Sequence, residues 1–516
     1  MSVVVKPPCD EDAIRAGIAD PSCAARGRWV LAATILGSSM AFIDGTVVNV
    51  AIPAIQSNLN ATGAQAQWVV ESYALLLAAL VLVGGGLGDL YGRRKIFCLG
   101  TLIFTAASVW CGLSADITQL IVARAVQGIG GALLVPGSLA LISASFPDAE
   151  RGRAIGTWSG FTAITTAFGP VMGGWLVEHG SWRYVFFVNV PLAIAVLTLT
   201  MWKVPESRNE NAPRRLDWLG AILGTIGWGG VVYALIEFST HSSAVVIAAA
   251  IGIVALIAFF FVEAYSSAPM MPLSLYRSRD FTGANLLTLF LYAALGGFIY
   301  YFPLNLIQVQ HYSPTQAGAA LLPFILLMFL LSRWSGGLVQ HYGARRPLIV
   351  GPLVVSAGFL LFTRSGSGSY WGTIFPATLA VGFGMAVSVP PLTTTVMGAV
   401  SRDRAGAASG INNSVSRIAG LLAIAIFGVI LYHVFDRTLT EKMKNFPAPV
   451  KQEIDEQRSR LAAAKVDNPQ GRLAVEQSFF AGYRVILWIA ATLSVASAIS
   501  TALLIGKEVR PNPAPG

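Results

Sequence analysis

Asp44 stands inside the apolar stretch from Trp29 to Val50, and a carboxylate in such a place is the first residue to ask chemistry of. Hydrocarbon makes a charged side chain expensive unless it is paired, hydrated or protonated. Glu71 opens the apolar run Trp68 to Leu87, and Arg124 lies in the first turns of the run Leu120 to Ala144. If successive runs cross a bilayer in alternating directions, all three share a similar depth. Desolvation favours the neutral form of a buried carboxylate, whereas a guanidinium beside it favours the charged form. Asp44, Arg124 and Glu71 are therefore the candidates for taking up and releasing a proton. Plainer roles stay open for each: a static ion pair for Asp44, an interfacial carboxylate for Glu71, a cation on helix carbonyls for Arg124.

A second group has mechanical rather than acid–base character. Gly84-Gly85-Gly86-Leu87-Gly88-Asp89-Leu90-Tyr91-Gly92-Arg93-Arg94-Lys95 ends one apolar run and begins another. Its glycines permit close backbone approach, Gly92 suits a turn barred to bulkier residues, and a cation cluster follows at once. Such a cluster stays on the cytoplasmic side. Further along, Gly336, Leu338, Gly343, Arg345 and Arg346 match Gly85, Leu87, Gly92, Arg94 and Lys95, with Ala344 in the place of Arg93.

The elements that must position these residues are membrane helices. Of 516 residues, 54% are hydrophobic and 12% charged, far from the roughly 25% charged residues of soluble domains. Taking about 20 apolar residues per crossing, helices are expected near 29–50, 68–87, 96–113, 120–144, 154–177 and 184–202, then 218–238 and 244–263, then 281–308, 317–339, 347–364, 371–397, 408–432 and 480–505. The expected organisation is a tail 1–27, a six-helix bundle 28–203, a linker 204–280 with two inserted helices, a second bundle 281–505 and a tail 506–516. Within the second bundle, an extracytoplasmic loop 433–478 carries a possible apolar stripe of Val450, Ile454, Leu461 and Ala464, or is a solvated cap.

The net charge of +9 is spread over short connections, which is a topology signal rather than a nucleic-acid footprint. Among the short connections assigned outside, the cations are Arg183 and Arg364, so both termini are expected in the cytoplasm. With that orientation Arg333 and Arg417 fall in inner halves of their helices, where long side chains snorkel. Cys9, Cys23, Cys98 and Cys111 have neither metal-ligand spacing nor a paired framework. The first residues lack the continuous apolar core of a signal peptide.

The repeat extends beyond the charged turn. Gly128, Gly130, Pro136 and Gly156 align with Gly382, Gly384, Pro390 and Gly410. Helices one to six thus repeat as nine to fourteen, with seven and eight inserted. Paired halves of this kind are a plan of secondary transporters, with a substrate site between them near the bilayer midplane.

These residues resemble the major facilitator superfamily and, within it, the drug:proton antiporters with fourteen transmembrane helices. Gly85-x-Leu87-Gly88-Asp89-x-x-Gly92-Arg93-Arg94-Lys95 is similar to its cytoplasmic signature, and Asp44-Gly45-Thr46-Val47-Val48-Asn49-Val50-Ala51-Ile52-Pro53 to its first-helix motif. Arg124-Ala125-Val126-Gln127-Gly128-Ile129-Gly130-Gly131 resembles the fourth-helix motif. Gly156 with Gly169-Pro170-Val171-Met172-Gly173-Gly174 resembles the antiporter motif, although Thr165 stands where a glycine is usual and Gln340 replaces the aspartate of the second turn.

The resemblance implies an all-α polytopic membrane protein of the major facilitator fold, two six-helix bundles plus two inserted helices, in a bacterial inner membrane. It implies proton-coupled export of small amphipathic compounds by multidrug efflux, with Arg124 organising the proton site. Gly85, Asp89, Gly92, Arg93 and Arg94 would form the conformational switch, Asp89 latching the start of the thirteenth helix near Gly406 in an outward-facing state. Gly156, Gly169, Pro170, Gly173 and Gly174 would form a seal favouring antiport. Alternatives are export of one endogenous metabolite, or a non-transporting sensor of the same fold. The implied partners are a small-molecule substrate, protons and the lipid bilayer, for a monomer without nucleic acid. Neither cofactor nor metal is expected, the proton gradient supplying energy, and the chain carries no Gly-x4-Gly-Lys-Ser/Thr loop for a nucleotide. Asn49, Asn285, Tyr292, Tyr300, Tyr301, Asn305, Asn412 and Asn413 are polar or aromatic candidates to face the central cavity.

Overall fold

Backbone in hydrocarbon must satisfy every N–H and C=O internally, which leaves helices as the economical element for these runs. The computed structural model describes residues 21–208, 217–240, 242–266, 269, 271–366, 369–401 and 404–506. Among them are fourteen helices long and apolar enough to cross a membrane, and no strand. We number these α1 Gly27–Leu59, α2 Gly63–Tyr91, α3 Arg93–Leu113, α4 Ile117–Ser145, α5 Glu150–His179, α6 Tyr184–Lys203, α7 Trp218–Ile236, α8 Ser243–Tyr265, α9 Arg279–Val309, α10 Pro314–Leu331, α11 Arg345–Phe362, α12 Tyr370–Gly398, α13 Ala407–Asn445 and α14 Pro469–Leu504.

All fourteen expected spans are present, and several are longer than composition suggests. The first helix reaches back to Pro21, inside the expected tail. Residues 1–20 and 507–516 of the expected tails, and 209–216 of the linker, lie outside the described residues. α2 begins at Gly63 because Thr62 Oγ1 accepts from Gln65 N at 3.2 Å while Gln65 Oε1 accepts from Thr62 N at 3.0 Å. Such a capping box satisfies two backbone donors that would otherwise be orphaned. Glu71 consequently lies about 12 Å along its helix, two turns from its start rather than one.

α13 and α14 also outrun their apolar cores, which shortens the loop expected over 433–478. The remainder is a short helix, Ala448–Gln457, followed by a tight turn with Leu461 at φ +55°. Of the expected stripe, Ile454 is buried and Val450, Leu461 and Ala464 are half-buried. A Cβ added at Gly63 would lie 2.8 Å from Leu461 Cδ1, so this cap rests on the start of α2. Arg458 Nη1 holds it to Asp436 Oδ1 at 2.6 Å.

The repeat is visible in the packing. Gly92 at φ +113° and Gly343 at φ +72° are the two glycines with positive φ among the described residues, one at each charged turn. Gly128 packs on the backbone of Tyr73, and Gly382 on that of Phe324. Gly130 meets Gly100 and Phe104, and Gly384 meets Gly351 and Val355. These partners differ by a constant 251 positions (324 − 73, 351 − 100, 355 − 104). Both halves therefore use the same small-residue seams to bring helices together.

α7 and α8 cross at Gly227, Gly230 and Gly252, whose missing side chains let the two backbones touch. α7 leans on α2 through Leu75 and Gly229, and Trp68 Nε1 donates to Glu237 Oε1 at 3.0 Å. The inserted pair thus flanks the junction of the two bundles.

The bundles meet mainly at the end that carries the cap. Gln308 Nε2 donates to Gln56 Oε1 at 2.9 Å, and Gln67 Nε2 donates to Tyr301 Oη at 2.5 Å and to Ile424 O at 3.3 Å. Glu178 Oε2 accepts from Ser313 Oγ at 2.8 Å and Thr315 N at 3.1 Å. At the opposite end, where Gly92 and Gly343 turn, Gly152, Gly156 and Gly160 of α5 have open space beside them.

Candidate functional site

α1 carries Asp44 into the middle of the first bundle, where it is fully buried. Its Oδ2 lies 2.5 Å from Arg124 Nη1 of α4. Its Oδ1 accepts from Gln127 Nε2 at 2.8 Å and from Asn189 Nδ2 of α6 at 3.5 Å. Arg124 spends its other donors on Gln127 Oε1 at 2.7 Å and Val69 O of α2 at 3.0 Å. Its guanidinium also covers the Tyr73 ring, 4.2 Å from the centroid. Asn189 continues the network to Ser108 Oγ of α3 at 3.0 Å.

A buried ion pair survives only if hydrogen bonds complete what water supplied. Here five helices of one bundle contribute them, so the site belongs wholly to the first half. The second half has Thr378 and Val381 at the places of Arg124 and Gln127.

Asp44 and Arg124 are brought together as expected, but Glu71 is not part of their network. Both Glu71 oxygens are buried without a hydrogen-bond partner, and the carboxylate interacts electrostatically with Tyr300 and Tyr301 of α9. It faces the other bundle. Arg417 also departs from expectation. It lies about 15 Å into α13, its Nε buried without a hydrogen-bond partner, and it interacts electrostatically with Tyr73, the ring beneath Arg124. The Arg333 side chain lies outside the described residues.

The antiporter segment is a seam between three helices. A Cβ at Gly169 would strike Thr46, and one at Gly173 would strike Val47, both of α1. Gly174 abuts the backbone of Pro314 and Thr315 at the start of α10, and Gly318 abuts the Pro170 carbonyl. Gly156 takes no part, since a side chain there would meet nothing within 4 Å.

At the charged turn, Asp89 Oδ1 pairs with Arg93 Nη2 at 2.9 Å. Gly85 lies against Pro136 of α4. The backbone N–H groups of Arg94 and Lys95 donate to Glu206 Oε1 and Oε2 at 2.9 and 3.2 Å. Glu206 thus caps α3, a carboxylate suited to the positive end of a helix dipole, and Arg94 Nη1 adds a bond to Val204 O at 3.1 Å. Nothing in the connector's sequence distinguishes Glu206.

Of the cavity candidates, Tyr292, Asn412 and Asn413 line a cavity of about 190 Å³ with Thr393, Ser409 and Ser416. Asn412 Nδ2 donates to Asn285 Oδ1 at 3.1 Å. Tyr300, Tyr301 and Asn305 instead are buried, because their stretch of α9 closes against Gln67 and Ile424. Asn49 is buried as well.

Two pseudo-symmetric helical bundles, joined at the cap end and with open space beside α5 at the other, define a multi-pass membrane protein with the plan of a secondary transporter. The chain belongs to the Major Facilitator Superfamily, whose family model matches residues 34–424. It is 36% identical to the multidrug resistance protein Stp of Mycobacterium tuberculosis over 492 residues, covering 90% of each chain. It is 32% identical to the tetracenomycin C resistance and export protein of Streptomyces glaucescens, covering 80% of this chain and 77% of that one. Among solved structures, a bacterial homologue of the lysosomal transporter Spinster superposes with a TM-score of 0.70 at 18% identity, covering 95% of this chain and 99% of that one.

Proposed function

We propose that this protein is a proton-coupled exporter of small amphipathic compounds, working by alternating access. The observation that supports it best is the Asp44–Arg124 pair, a protonatable group fully enclosed in one bundle and placed on the helix that bears the cap-end seam. Thr46 and Val47, against which Gly169 and Gly173 pack, follow Asp44 by two and three residues. Adding a proton to Asp44 removes one charge of the ion pair and leaves the Arg124 guanidinium a weaker bond to a neutral carboxyl. α1 is then less firmly held to α4, and α5 rides on α1 into its contact with Pro314. Proton binding and opening of the cap end are coupled through one rigid helix.

In this reading the charged turns face the cytoplasm, both termini are inside, and the protein works as a monomer in a bacterial inner membrane. Asp89 exchanges Arg93 for the start of α13 when the cleft opens outward. The enclosed proton site, the cleft between two bundles and the names of the relatives all favour a carrier over an enzyme. Glu71, at the bundle interface, is a second protonatable group acting apart from Asp44.

A narrower reading is export of one compound, since the relatives include proteins named for tetracenomycin C and for puromycin. The test is a set of unrelated lipophilic cations and neutral amphiphiles added to inside-out vesicles that hold a proton gradient. Proton release on adding several of them supports the broad exporter, and release with one alone supports the narrow one. Silence towards every compound, with the protein intact in the membrane, would rule out both.

A further inference from the structure

Beside the cleft lies a second cavity, of about 470 Å³, that the transport cycle described above does not use. It sits between the inserted pair and both bundles, walled by Ala79 and Leu82 of α2, Gly224 and Trp228 of α7, and Leu286 and Leu289 of α9. Its size falls within the range of about 300–1,000 Å³ of small-molecule sites. Three polar side chains on its wall are engaged with backbone: Thr282 Oγ1 donates to Tyr276 O at 2.7 Å, Asn285 Nδ2 to Phe281 O at 2.9 Å and Ser414 Oγ to Gly410 O at 3.0 Å. Apolar cavities do not retain water and bind apolar molecules instead.

The rim at the charged-turn end has a different character. Arg277, Arg279 and Arg404 are exposed there, and Arg404 Nη1 lies 3.5 Å from Ser274 Oγ. Asp217 accepts from Gly220 N, Glu263 from Met271 N and Asp280 from Gly506 N. The rim carries exposed cations directly beyond an apolar chamber. Basic pockets between membrane helices on the cytoplasmic side suit anionic lipid headgroups.

We propose that this chamber holds one acyl chain of an anionic phospholipid from the charged-turn leaflet, with the lipid phosphate at Arg277, Arg279 and Arg404. The lipid fills the space that α7 and α8 leave against α2, α9 and α13, and so fastens the inserted pair to both moving bundles. The proposal does not depend on what the protein exports.

The test uses the full chain in nanodiscs of phosphatidylcholine doped with phosphatidylglycerol carrying a photoactivatable acyl chain, with matched discs in which the label is on phosphatidylcholine. Labelled peptides are then mapped. Labelling by phosphatidylglycerol should concentrate at Leu82, Trp228 and Leu286 over Val246 and Ile253, which face outward on α8. Gly224→Trp should reduce it to the outward level, and the fold should tolerate this start, since a Cβ there lies 3.7 Å from the Phe259 ring. Arg277→Gln and Arg279→Gln, which leave the chamber intact, should each lower the preference for the anionic lipid by roughly fivefold. Equal labelling of chamber and outward face, or no preference for phosphatidylglycerol in the unsubstituted protein, would overturn the proposal. So would displacement of the label by a neutral amphiphile that leaves the arginine variants unaffected, which would make the chamber a cargo vestibule.

Discussion

Asp44 Oδ2 and Arg124 Nη1 are 2.5 Å apart, and neither side chain is more than 1% exposed. The pair is enclosed by Gln127, Asn189 and Tyr73, so neither charge has water to fall back on. Removing one partner of such a pair leaves an uncompensated buried charge, which costs about 3–5 kcal/mol. Arg124→Gln should therefore lower the thermal unfolding midpoint markedly. Adding Asp44→Asn should recover part of the loss, because both charges are then gone. Strictly additive losses in thermal unfolding of the four proteins would show that the two residues do not act as a pair.

The seam at Gly174 and Gly318 demands backbone contact between α5 and α10. Gly174→Leu and Gly318→Leu should prevent the cap end from closing. Transport should be lost while the protein remains folded, and a cysteine at Gln56, beneath that seam, should gain reactivity towards a membrane-impermeant thiol reagent. Gly156→Ala is the control, because open space surrounds that position. Unchanged cysteine reactivity in both leucine variants would remove the seam from the gating account.

Around the charged turn, two carboxylates have separable duties. Glu206→Ala removes the cap of α3 and should cost about 1 kcal/mol of stability, with transport retained. Asp89→Asn should leave stability nearly unchanged, cut turnover and shift the resting population towards the form open at this end. Reactivity of a cysteine at Asn413, exposed beside the cleft cavity, reports that shift. No change in its accessibility would argue against a latch at Asp89.

Glu71 has no hydrogen-bond partner to lose. Glu71→Gln should preserve or raise thermal stability, in contrast to Arg124→Gln, and its effect on transport should add independently to that of other substitutions in the first bundle. A double-mutant cycle with Gln127→Ala, measured as transport rate, checks this. Strong coupling between the two would place Glu71 in the Asp44 network after all.

The sequence shows most of this arrangement for definite physical reasons. Charge inside hydrocarbon is rare, so Asp44 and Arg124 stood out, and Gly92 was recognisable because few residues accept its backbone angles. Gln127 and Asn189 do not announce their roles, since a neutral amide in an apolar run looks like any tolerated polar residue until its partners are known. Composition puts Glu71 too near the helix start, because the capping box of Thr62 and Gln65 begins α2 before its apolar core. Sequence alone suggests snorkelling for Arg417, because composition does not reveal which face of α13 turns towards Tyr73. Glu206 acts through a contact 112 positions away in sequence with Arg94, and no local pattern announces such a cap.

The most direct measurement is proton release from the purified protein in lightly buffered detergent when a transported amphiphile is added, followed with a pH indicator. The account expects the unsubstituted protein to release protons on binding, and Asp44→Asn to bind the same compound while releasing none through this group. Undiminished proton release from a folded Asp44→Asn variant would contradict the central claim that Asp44 carries the coupled proton.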